Sequence, residues 1–116
     1  MAKNQRYTHN RHISLTAPAG GAVSGNPYRI GQYVGVAQTS AAAGEKFTLW
    51  LDGSYDLTVT GALTEAQQVY ITGANALTAT ATGNYPFGVA NAAKGTGSGV
   101  VEVAPHGKIT NTAALA

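Results

Sequence analysis

The chain has 116 residues, a net charge of +2 and only 10% charged side chains. That length fits one domain, and the absence of Cys excludes disulfides, a thiolate nucleophile and Cys-ligated zinc. No run approaches the roughly 18 apolar residues of a membrane span. The first residues, Met-Ala-Lys-Asn-Gln-Arg, lack the apolar centre of a secretory signal. The expectation is a protein made in a cytoplasm and kept in solution, with no membrane partner.

Core material is thin. Val, Ile, Leu and Phe number 22 of the 116 residues, whereas Ala, Thr and Gly number 50. Disorder at such low apolar content usually also needs high net charge, which is missing here. The composition therefore predicts a β-rich domain with small side chains, stabilised further by burial against copies of itself or a large partner.

Residues 1–12 carry Lys3, Arg6 and Arg11 and no acid, so the whole positive excess lies there. The segment has no apolar periodicity. It predicts a flexible basic arm that either lies on a polar or anionic partner or is merely solvated. A β-rich domain is expected over residues 13–107 and a tail over 108–116.

Within the domain, Ile13–Thr16, Tyr28–Ile30 and Tyr33–Ala37 read as strands separated by Gly- and Pro-containing breaks. Phe47-Thr-Leu-Trp-Leu51 alternates with period two and is the densest run of large side chains. Gly53 then interrupts it, predicting either a sharp bend or two strands meeting at Asp52-Gly53. Thr58–Leu63 is a weaker strand broken by Gly61. Thr64-Glu-Ala-Gln67 fits a capping box and predicts one helical turn at most. Val69–Ile71 returns to β-formers, Thr72–Thr82 alternates weakly, and Tyr85–Ala90 and Val100–Ala104 follow as strands, with Lys94–Gly99 as a flexible loop.

The chain also echoes itself. Placing Gly35-Val-Ala37 on Gly88-Val-Ala90 sets Gln38 on Asn91. One extra loop residue then sets Phe47-Thr-Leu49 on Val101-Glu-Val103, Asp52 on His106 and Gly53 on Gly107. Tyr28–Gly31 echoes Tyr70–Gly73 at a different offset. Two copies of a unit of about 53 residues fit a pseudo-duplicated barrel or sandwich better than a solenoid. Chance competes, because Gly-Val-Ala is a common triplet.

No constellation for catalysis emerges. His9, His12 and His106 do not define a metal site, and the acids are scattered. Asp52 and Asp56 flank a bend where Asp is expected for turn reasons alone. Gly88 to Gly95 comes nearest to a phosphate loop, but Ala93 and Gly95 occupy positions that need Gly and a hydroxyl. We therefore expect no enzyme, no cofactor and no metal. Trp50 lies on the strand face opposite Phe47, Leu49 and Leu51. It is either an interface anchor or part of a second layer of the same domain. The six tyrosines form no stacking platform for bases, and no direct nucleic-acid partner is expected.

Taken in order, Ala17-Pro-Ala-Gly-Gly-Ala-Val-Ser-Gly25, Gly35-Val-Ala37, Ala41-Ala-Ala-Gly-Glu45, the Leu49–Leu57 stretch and Phe87-Gly-Val-Ala90 resemble a family of small tailed-phage capsid decoration (cement) proteins. The resemblance spans roughly residues 13–107. It implies an all-β, β-tulip-like fold and copies, often trimers, clustered on the capsid exterior. It further implies the major capsid protein as partner, location in the virion, stabilisation of the shell and no catalysis. Lys3, Arg6, Tyr7 and Arg11 are then the expected capsid-binding arm, and Trp50 the expected subunit contact. A β-scaffold binding module for carbohydrate or nucleic acid, or a tail or fibre component, would share the lack of chemistry.

Overall fold

The computed structural model describes residues 3–6 and 9–116. Ten strands run in the order β1 (His12–Thr16), β2 (Pro27–Ile30), β3 (Tyr33–Ala37), β4 (Lys46–Trp50), β5 (Tyr55–Thr60), β6 (Gln68–Ile71), β7 (Leu77–Thr78), β8 (Tyr85–Ala90), β9 (Ser98–Pro105) and β10 (Gly107–Lys108). The described residues contain no helix. The dense Phe47–Leu57 stretch resolves into two strands, β4 and β5, turned apart at Gly53, whose φ is 88°.

Two β units result. In the first, β1, β4, β3 and β2 neighbour one another in that order, and β10 continues beside β3 beyond the end of β4. In the second, β5, β9, β8 and β6 neighbour one another in the corresponding order. β7 then pairs with both β5 and β6 and closes the ring. All pairs are antiparallel except β5–β7.

The internal echo is thus a duplication of backbone bonding. Ala37 pairs with Leu49 as Ala90 pairs with Val103. The Gln38 amide donates to the Thr48 carbonyl at 2.9 Å, as Asn91 does to Glu102 at 2.9 Å. The isolated bridge Ala22–Ala41 recurs as Leu63–Lys94. One part of the expected alignment shifts. Tyr28 pairs with Gly35 and Val69 with Gly88, so Tyr28 corresponds to Val69 and not to Tyr70. A one-residue slip would have sent every side chain to the opposite face. Both Tyr28 and Val69 are in fact buried.

Two apolar clusters follow from this arrangement. Phe47, Leu49, Leu51, Tyr28, Ala37, Ala17 and Ala22 line the inner face of the first unit. Leu57, Val59, Leu63, Val69, Ile71, Leu77, Val101 and Val103 belong to the second cluster, which Val34, Val36 and Phe87 join. Val34 and Phe87 hold equivalent places, each beside a glycine of the repeated triplet. Because β3 contributes to both clusters, it is buried along nearly its whole length.

The expected helical turn at Thr64 is a tight turn instead. The Gln67 amide donates to the Thr64 carbonyl at 3.2 Å, and the Gln67 side-chain oxygen accepts from the Thr64 amide at 2.9 Å. The reach-back of the capping pattern is therefore present without a helix. Ala66 has φ 70°, whereas its counterpart in the first unit is Gly25, at φ 90°. A Cβ in that region costs about 1–2 kcal/mol, against about 0.5–1 kcal/mol for the extra chain freedom of glycine. Ala66→Gly should therefore stabilise the protein by about 0.5–1 kcal/mol. Urea titration checks this, and a lower midpoint at unchanged slope would refute the assignment.

The Lys94–Gly99 loop is also tied down. The Lys94 ammonium donates to the carbonyls of Gly61, Gly95 and Gly97 at 2.9, 2.8 and 2.6 Å. At the C-terminus Ile109 is buried, with its amide bonded to the Gln32 carbonyl at 2.9 Å. Leu115 exchanges backbone bonds with Asn84 and Gly83.

Candidate interaction surface

The first unit begins inside the segment expected as an arm. The Arg11 carbonyl accepts from the Leu51 amide at 2.7 Å, and His12 opens β1 opposite Trp50. Period-two alternation along β4 sends Phe47 and Leu49 inward and Thr48 and Trp50 outward. Trp50 is half-buried, and the His12 ring stacks on it with centroids 5.0 Å apart and planes 26° apart. Part of its cover therefore comes from its own chain, while the rest of the indole remains open.

Arg11 is exposed and lies 3.9 Å from the Asp52 carboxylate. A pair this open adds little to stability. Lys3 and Arg6 are exposed. Tyr7 lies outside the described residues. Among the expected contact residues, the structure thus brings Arg11 and Trp50 to one end of the first unit, joined through His12. A groove of about 350 Å³ lies beside them, lined by His9, Asn10, His12, Ile13, Ser14 and Thr48.

A smaller groove of about 240 Å³ runs from Arg11 and Asp52 to His106 and Lys108. His106 hydrogen-bonds Gln68 at 2.7 Å, and burial holds its pKa below the usual histidine value. Glu102 accepts from Ser54 at 2.6 Å and from Asn91 at 3.0 Å. Those two bonds hold its carboxyl below the ordinary value. Burial raises the Tyr55 phenol, with the nearby Asp52 charge adding to the effect, and its hydroxyl donates to the Asp52 carbonyl at 2.9 Å. Among the described residues no three His, Asp or Glu side chains come together as metal ligands would. The described polar groups are arranged to hold loops and strand ends in place.

Two features escaped the sequence reading. One is the stacking of His12 on Trp50, which needs the β1–β4 register and has no sequence signal of its own. The other is Arg29. Its guanidinium lies 3.7 Å from the centre of the Tyr85 ring, and its amide donates to the Asn75 side chain at 3.0 Å. These contacts join the two units.

The family model for phage cement proteins matches residues 7–105. No curated protein and no solved structure matches the chain. The family match runs through both β units and stops where β9 ends, at Pro105. The duplicated architecture thus falls within one family unit, and the chain belongs to the phage cement protein family, a family of structural phage proteins.

Proposed function

We propose that this protein binds the outside of a phage capsid, with the major capsid protein as partner, and stabilises the shell, most effectively as trimers. The observation that carries the reading is the family match over residues 7–105. The thin supply of large apolar side chains supports it, since a domain with little core gains from burying surface against neighbours. The basic arm supports it as well. Lys3 and Arg6 are exposed charges ahead of β1, placed to speed the approach to acidic groups on a shell. Half-open Trp50 beside the root of the arm is the contact to a neighbouring copy.

Trp50→Ala should weaken assembly on capsids by about 2 kcal/mol or more, as expected for an interface anchor. It should lower the melting temperature of the free domain only modestly. Co-sedimentation with shells and imaging of decorated capsids measure the first effect, and calorimetry of the free protein the second. An unfolded variant with no binding-specific loss would assign Trp50 to the core. Isolated single copies on imaged shells would remove the trimer. Steep loss of DNA affinity with rising salt would instead favour a nucleic-acid module.

A further inference from the structure

We propose that the outer edge of β1 accepts an extended segment of the major capsid protein as an added strand, completing a first unit that lacks one. The proposal deepens the capsid-binding reading and rests on it. In the second unit the connection from β6 to β8 carries β7, which lies between β5 and β6. In the first unit the corresponding connection, between β2 and β3, is only Gly31-Gln32, so among the described residues no strand takes the equivalent place between β1 and β2.

The consequence shows in matched residues. Leu57 and Ile71 are buried in the closed unit, with exposures of 4% and 0%. Their counterparts Leu15 and Ile30 are only partly covered.

The two strands flanking this opening differ. Along β2 the bonded pairs with β3 include Asn26–Ala37, so Pro27 and Arg29 face outward. Pro27 has no N–H, and the Arg29 N–H is taken by Asn75. That edge is blocked. Along β1 the bonds Arg11–Leu51 and Ala17–Glu45 fix the alternation, leaving the N–H and C=O of His12, Ser14 and Thr16 pointing outward. Among the described residues no strand pairs with them. β1 then runs into Pro18, whose carbonyl is already bonded to the Gly21 amide at 2.8 Å. An incoming strand therefore pairs over His12–Thr16.

Open edges are ordinarily blunted, because they recruit other chains. Here one edge is blunted and the other, among the described residues, is left unpaired. An arriving strand gains backbone bonds from β1, and its alternate side chains cover Leu15 and Ile30. The arm of a second copy fits poorly, since residues 1–11 offer only Met1, Ala2 and Tyr7 as apolar or aromatic groups and carry three positive charges.

The test is Ser14→Pro, assayed for binding to shells of the major capsid protein. A proline here removes an outward N–H, a position where an edge strand tolerates it. The variant should keep its fold and lose about tenfold or more in shell affinity, while Ser14→Ala should bind as the wild type does. Wild-type affinity in folded Ser14→Pro overturns the added strand and leaves capsid binding intact. Loss of self-association with unchanged shell affinity overturns the chosen occupant. Should the proline variant fail to fold, residue-resolved hydrogen exchange on the wild type decides. Shell binding must newly protect the amides of His12, Ser14 and Thr16, and no added protection overturns the proposal. A wild-type protein that ignores shells overturns both readings.

Discussion

Gly35→Ala and Gly88→Ala should each destabilise the protein by about 3 kcal/mol or more, and together should leave it unfolded at room temperature. A Cβ at Gly35 would drive into the Trp50 carbonyl, and one at Gly88 into the Ala104 carbonyl. Both obstacles are backbone atoms of a paired strand. Neither can retreat without breaking the ladder that holds β3 to β4 or β8 to β9. Flexible side chains would yield at modest cost, but these carbonyls cannot. Gly73→Ala and Gly95→Ala are the controls, since nothing lies within 4 Å of a Cβ built at either position. Urea unfolding of the four variants decides the matter. Equal stability across all four would mean that the strands do not approach as closely as the structure places them. Because Gly35 and Gly88 are equivalent in the duplication, their costs should also match within about 1 kcal/mol, the usual scale of context effects.

Removing residues 1–8 should leave the melting temperature nearly unchanged and sharply weaken attachment to capsids. The cut spares Arg11 and His12 because they bond or pair with Leu51 and Trp50. Deleting residues 1–12, as the sequence alone would suggest, would mix loss of contact with loss of a strand end. The truncation removes Lys3 and Arg6 and leaves Arg11 beside Asp52. An extended segment covers much surface for few residues when it orders on a partner, so the loss should be tenfold or greater, or about 1.4 kcal/mol and above. Circular dichroism, melting and a capsid pull-down of the truncated chain measure both halves of the expectation. Normal attachment without residues 1–8 would place the contact on the β units themselves, beginning with the open edge of β1.

Most of the fold was legible because the signals were local. Period-two alternation marked Phe47–Leu51, and Gly53 marked the end of that run. The Gly-Val-Ala triplets marked the duplicated units, and the paired residues Ala37–Leu49 and Ala90–Val103 follow the alignment read from them. The capping pattern at Thr64–Gln67 was legible as a side-chain contact but misread as a helical turn, since its hydrogen bond serves a tight turn equally well. The upstream echo slipped by one residue because matching two tyrosines by identity ignores which face each occupies. Burial of Tyr28 and Val69 fixes the register.

By itself, the sequence determined an all-β chain made of two related units with a basic leading segment. Those properties depend on side-chain period, glycine placement and charge, each carried by neighbouring residues. The tertiary structure alone decided where the two units meet, through Val34, Val36 and Phe87 in one cluster. It also decided which unit is closed. Closure depends on where residues 72–84 travel, bringing Leu77 and Thr78 between β5 and β6. No short-range pattern carries that information, because pairing between strands distant in sequence is set by the packing of the whole chain. Among the described residues, the same long-range pairing leaves the outer edge of β1 without a paired strand while Pro27 and Asn75 block β2.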